Sequence, residues 1–273
     1  MDFFILVPTG VIVFALGASI GSFVNVVVYR LPAKLSILFP PSRCPRCLRQ
    51  LMAYDNVPVL GWLWLKGRCR YCKTKISVRY PVVEAITGIV FLLVFIVLKV
   101  SIWTIGYWAF CSWLLALSLI DFDTMTLPNS LTQSGLVLGI VFQMVAGFIE
   151  DNSLHAIVHH LMRGVGGAVL GLWLFEAIAL LGSIAFGKTA MGAGDAKLAA
   201  MIGAWLGWRL LLLAGFLACT LGALFGGSLI ILSLHLWGQK MPFGPFLALG
   251  GAIAMIGGEA ILSNYIRLFF PGT

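Results

Sequence analysis

The stretch FFILVPTGVIVFALGASIGSFVNVVVY, residues 3–29, contains no charged side chain, and this sets the solvent in which the chain folds. About 20 apolar residues in a helix cross a hydrocarbon core of about 30 Å, so residues 3–29 are long enough to span. Met1-Asp2 ahead of them lacks the basic start of a cleaved signal peptide, and the stretch reads as a first transmembrane helix. Uncharged or nearly uncharged runs follow at 83–99, 100–120, 130–149, 164–187, 198–208, 210–236 and 244–266. The composition agrees: 60% of residues are hydrophobic and only 10% charged, where soluble domains are about 45–50% apolar. The expected fold is therefore an all-α polytopic membrane protein of about eight transmembrane helices. Residues 198–208 are about half the length a span requires. They are expected to be short, tilted or flanked by snorkelling Lys197 and Arg209, which brings water close to Asp195.

One polar insertion interrupts this pattern. Between Arg30 and Tyr80 lie 11 of the 18 basic residues and one acid, Asp55. The positive-inside rule puts such a loop in the cytoplasm, and its charge also suits anionic lipid. It holds Cys44-Pro45-Arg46-Cys47 and, after 21 intervening residues, Cys69-Arg70-Tyr71-Cys72. Two Cys-x-x-Cys knuckles at this spacing read as a four-thiolate zinc site, structural because no ligand position is left open. Two disulfides are the alternative, disfavoured in a reducing compartment. No aromatic stacking series accompanies the basic residues, so no nucleic-acid partner is expected. The expected organisation is a first helix (1–29), a zinc-binding loop (30–82) and a membrane domain (83–273).

Carboxylates beside hydrocarbon are costly and mark functional sites. Asp195 lies in Met191-Gly192-Ala193-Gly194-Asp195-Ala196-Lys197, and Asp121 ends the apolar run Ser112–Ile120 ahead of Phe122-Asp123-Thr124-Met125-Thr126-Leu127-Pro128-Asn129. Alternating the helices from a cytoplasmic loop puts both on one membrane face. Two carboxylates within reach of each other cannot both ionise cheaply, so one keeps a proton and the pair can activate water while protonating a leaving amide. Gly192 and Gly194 suit such a site by allowing close backbone approach and unusual φ/ψ angles. Against this, Asp195 could cap a helix starting near Lys197 and Asp121 could snorkel. Lys197 could lower the Asp195 pKa or anchor at the interface. Glu84, Glu176 and Glu259, in or beside spans, are expected to be buried with interhelical partners. His155, His159 and His160 lack Cys or carboxylate partners at ligand spacing, and no metal is expected there.

Taken together, these residues resemble the type IV prepilin peptidases, membrane aspartyl proteases with a Gly-x-Gly-Asp motif. The resemblance runs through Gly21-Ser22-Phe23-Val24-Asn25-Val26, Tyr29-Arg30-Leu31-Pro32, both Cys knuckles, Arg79-Tyr80-Pro81-Val82-Val83-Glu84, Ile120-Asp121 with Leu127-Pro128-Asn129, and Met191 to Leu198. It implies that Asp121 and Asp195 are the catalytic pair and that Cys44, Cys47, Cys69 and Cys72 hold zinc. It also implies a prepilin or pseudopilin substrate, whose short basic leader is cut after a glycine at the cytoplasmic face of the bacterial inner membrane. Many members then methylate the new N-terminal residue with S-adenosylmethionine, and the presence of both the Gly21 to Pro32 segment and the zinc loop implies that second activity here. Asp123 is then a candidate contact for a leader lysine. Peptidase without transferase is one alternative; a proton-coupled transporter using the two aspartates as a relay is another.

Overall fold

Backbone polar groups find no water in hydrocarbon, so the apolar runs must form helices, which satisfy their hydrogen bonds internally. The computed structural model describes residues 3–187, 191–232 and 241–269. Its helices are α1 (Phe3–Arg30), α2 (Leu60–Trp64), α3 (Arg79–Leu98), α4 (Ile102–Thr124), α5 (Asn129–Asp151), α6 (Leu154–Phe186), α7 (Ala193–Leu206), α8 (Trp208–Ile231) and α9 (Gly244–Phe269). Among the described residues there is no strand, only isolated bridges joining Arg43 to Gln50 and Arg68 to Lys75.

Seven of these helices are long and apolar enough to cross a membrane, which makes this a multi-pass integral membrane protein. The sixth and shortest of the expected spans, 198–208, falls on α7. Its 14 residues rise about 21 Å, too little to cross. The end of the expected run 210–236, beyond residue 232, lies outside the described residues.

The chain divides into two units, residues 1–112 and 113–273, with α4 running through the division. In the first unit α1 packs on α3 through small residues; a Cβ on Gly17 would collide with Phe91, and one on Gly88 with Phe14. Trp108 stacks on Phe91 at 4.9 Å and donates its indole N–H to the Phe91 carbonyl at 2.9 Å.

In the second unit α7 is the central element, packed against α5, α6, α8 and α9. Every residue from Leu198 to Leu206 is buried. Gly167 of α6 and Gly203 of α7 face each other so closely that a Cβ on either would strike the other's carbonyl, so the two helices touch backbone to backbone. Because α7 stops inside the protein, its last carbonyls need donors from elsewhere. Gln143 of α5 donates Nε2 to the Trp205 carbonyl at 2.6 Å, and Arg163 of α6 donates to the Leu206 carbonyl at 3.2 Å. His160 lies in the same network, 3.1 Å from Gln143 Oε1 and 3.0 Å from Glu150.

Candidate active site and metal centre

Asp121 is in the last turn of α4 and Asp195 in the first turn of α7. Both are buried, at 6% and 7% exposure, in a unit whose interior otherwise rejects charge. Asp121 Oδ2 accepts a 3.0 Å hydrogen bond from the backbone N–H of Gly244, where α9 begins. Three elements therefore meet at the carboxylates. The two are close enough to interact: burial first, and then the negative charge of Asp121, push Asp195 up to about 6, with the Gly192 backbone drawing it the other way.

The reading of Asp195 as a simple helix cap gives way to this arrangement. The helix starts at Ala193, not near Lys197; its N-cap is Gly192, with no side-chain capping bond. Nor does Asp121 snorkel outward, since it is buried against α9. Lys197 turns from the pair and donates to the Asn129 side chain at 2.7 Å, tying the start of α7 to the start of α5. Asp195 is correspondingly raised rather than lowered.

Neither motif glycine has an unusual dihedral angle, and of the two only Gly194 serves a close approach within the structure. Gly192 has φ −75° and ψ 142°, extended backbone open to any residue, and lies exposed beside Asp195; a Cβ there would sit 3.6 Å from Asp195 Oδ2. Gly194 is inside the helix, where a Cβ would stand 2.9 Å from Leu127 Cβ. That contact presses the α4–α5 connection against the first turn of α7. Asp123 is exposed, just beyond Asp121.

Gly244 escaped sequence reasoning. A Cβ there would be 2.5 Å from Asp121 Oδ2, so only glycine lets α9 start against that carboxylate. Its signal was the run Pro242-Phe243-Gly244-Pro245-Phe246, a proline near the first helical position after a glycine.

Of the other acids expected to be buried, only Glu84 is, and it accepts a 2.7 Å hydrogen bond from the Val59 N–H in the loop. Glu176 and Glu259 lie exposed on α6 and α9 rather than between helices.

The four loop cysteines come together in the first unit, their Sγ atoms all within 4.8 Å of one another. The knuckles repeat one bonding pattern. Cys44 N–H donates to the Arg49 carbonyl and Cys69 N–H to the Thr74 carbonyl, both at 2.9 Å; Leu48 and Lys73 donate back to Cys44 and Cys69 at 3.0 Å. Leu48 and Lys73, at φ 56° and 58°, turn each knuckle so that both thiols face the same point. Burial alone would raise Cys44, yet the backbone of Cys47 and Arg46 and the adjoining thiols bring it down to about 6. Among the described residues this is the one cluster able to hold a metal ion, and no such group forms around His155, His159 and His160.

Residues 15–98 match the Bacterial Peptidase A24 N-terminal domain and residues 108–227 the Type IV leader peptidase family. Two curated relatives named "Prepilin leader peptidase/N-methyltransferase" are each 38% identical to this chain: that of Aeromonas salmonicida, with 93% of both chains covered, and that of Aeromonas hydrophila, with 94%. The protein of the same name from Pseudomonas aeruginosa is 34% identical, with 92% of this chain and 91% of that one covered. No solved structure matches.

Proposed function

We propose, because this chain belongs to the type IV leader peptidase family, that it removes the leader of prepilins or pseudopilins and methylates the N-terminal residue so exposed. The single observation that carries the peptidase reading is the pair Asp121 and Asp195, two buried carboxylates from distant helices that feel each other's charge. In this reading Asp195 holds the shared proton and Asp121 is the carboxylate. Asp121 takes a proton from water as the water oxygen bonds to the scissile carbonyl carbon, and Asp195 gives its proton to the carbonyl oxygen. Collapse of that intermediate breaks the C–N bond, with a proton passing to the leaving amine. Exposed Gly192 leaves room beside Asp195 for the substrate backbone, and exposed Asp123 meets the basic leader. Nothing favours a transporter.

The four cysteines fit zinc. At a Zn–S distance of about 2.3 Å, tetrahedral geometry requires sulfurs about 3.8 Å apart, and Cys44 to Cys72 is 3.7 Å and Cys47 to Cys69 is 4.0 Å. All four positions are protein ligands, so the ion is structural. S-adenosylmethionine supplies the methyl group for the second reaction, an activity carried in the names of the relatives. The loop and the aspartates face the cytoplasm of a bacterial inner membrane, as the charge of residues 30–80 indicates.

Mass spectrometry of a purified prepilin, incubated with the full-length enzyme and S-adenosylmethionine, tests the reading. It reports leader loss and methyl addition separately. Wild type yields both; Asp121→Asn and Asp195→Asn each abolish leader loss while still methylating a pilin already cut. Leader removal that survives either exchange refutes the assignment.

A further inference from the structure

The loop's short helix α2 presents Leu60, Leu63 and Trp64 outward, and Trp64 is 84% exposed. Immediately after it, a cleft of about 410 Å³ is lined by Leu65, Lys66, Arg68, Cys69, Arg70 and Lys73. Four of these six residues are cations. The loop's one carboxylate, Asp55, is 1% exposed at its side chain and bound to Arg70 by hydrogen bonds of 2.6, 2.9 and 3.0 Å. Lys66, Arg68 and Lys73 are exposed. A four-thiolate zinc site brings two negative charges, far too few to balance 11 basic residues, so the cleft stays positive.

One hydrogen bond to α3, and one to the residues just ahead of it, hold α2. The Val59 N–H donates to Glu84 at 2.7 Å, and Glu84 lies five residues into α3, about 7 Å along that span. Val59 itself has φ 61°, which a β-branched residue adopts only under constraint. The Trp62 indole N–H donates to the Ile76 carbonyl at 3.2 Å, just ahead of α3. The start of α2 is thus tied to the first turns of a membrane helix. Exposed Leu60, Leu63 and Trp64 beside that anchor suit the headgroup boundary of a bilayer.

We propose that this cleft binds the phosphate headgroup of an anionic lipid, with Lys66, Arg68 and Lys73 around the phosphate and Leu63 and Trp64 inserted among the acyl chains beside it. A basic peptide is repelled by such a cleft, and a free phosphate has no use for the apolar ridge. The proposal does not depend on the chemistry of the aspartates.

Native mass spectrometry tests it on the full-length protein, given equal amounts of dioleoylphosphatidylglycerol and dioleoylphosphatidylcholine. Wild type retains the anionic lipid preferentially. The double exchange Lys66→Gln with Arg68→Gln lowers that preference about thirtyfold, each cation near an anionic surface accounting for about fivefold. The charge-conserving Lys66→Arg with Arg68→Lys keeps it, and Leu63→Ser with Trp64→Ser weakens retention. Equal retention of both lipids by wild type overturns the proposal, as does a preference that survives removal of the two cations. Displacement of the lipid by millimolar inorganic phosphate, with the Leu63 and Trp64 exchanges without effect, also overturns it and assigns a free-phosphate site. Should the charge-removing variant fail to fold, a salt titration of wild type decides. The preference must then collapse as ionic strength rises, and persistence refutes the site.

Discussion

Asp121 in α4 accepts a hydrogen bond of 3.0 Å from the backbone N–H of Gly244, 123 positions further along the chain. That bond seats the start of α9 on the carboxylate and leaves no room for a side chain at Gly244. Gly244→Ala would place a Cβ 2.5 Å from Asp121 Oδ2 and 3.1 Å from its Cγ, so the carboxyl must shift. Displacements of this order cost about tenfold to a hundredfold when reacting groups must align. Single-turnover leader cleavage should fall by that factor, with methyl transfer to a pilin already cut unchanged.

If the pair is catalytic, Asp195 should set the pH response of leader removal. Burial and the charge of Asp121 push it up to about 6 from an ordinary 3.8. A raised carboxyl keeps its proton to higher pH, so the singly protonated pair is populated below about 6 and lost above it. The kcat/KM for leader removal should therefore fall as pH rises through that value, which belongs to the pair rather than to one residue. Infrared titration of Asp195 in an Asp121→Asn variant should give a lower midpoint, because one of the two raising causes is gone. A rate profile flat across that range contradicts the assignment.

Cys69 is wholly buried within the cysteine cluster. Elemental analysis should find one zinc per chain in wild type and none in Cys69→Ser. Structural zinc contributes about 10–16 kcal/mol to small modules, so the exchange, or a strong chelator, should open residues 31–78 to limited proteolysis. Full protease resistance without metal would show that the loop holds itself together.

Gln143 donates to the Trp205 carbonyl at the buried end of α7 and accepts from His160 Nδ1 at its own carbonyl oxygen. Gln143→Leu leaves that carbonyl unsatisfied, at a cost of about 1–3 kcal/mol. Thermal unfolding of the purified protein should register a loss of that size. A neutral result would mean that another donor or a water takes the place of Gln143.

Much of this was legible before any coordinates. The uncharged run 3–29 announces a membrane helix because hydrocarbon tolerates no unpaired backbone, and the twin Cys-x-x-Cys knuckles announce a four-sulfur cluster because each short turn aims two thiols one way. Asp121 and Asp195 stood out as the carboxylates that bordered apolar runs on one expected face. Length alone marked 198–208 as too short, but not that its helix begins at Ala193 and ends inside the protein with its carbonyls held by Gln143 and Arg163. Gly244 and the Lys197 to Asn129 bond were hidden because their partners are 123 and 68 residues away.

Local chemistry and the scarcity of charge in hydrocarbon were enough, by themselves, to point to an all-helical membrane chain, its cysteine cluster and the two buried carboxylates that interact in the structure. Only the tertiary structure decided which helix ends meet, because side-chain periodicity records the face a helix buries and not the axial level at which it stops. The approach of the carboxylates and the seat of α9 on Asp121 depend on that level, to which backbone contacts such as Gly167 against Gly203 contribute across the packed helices.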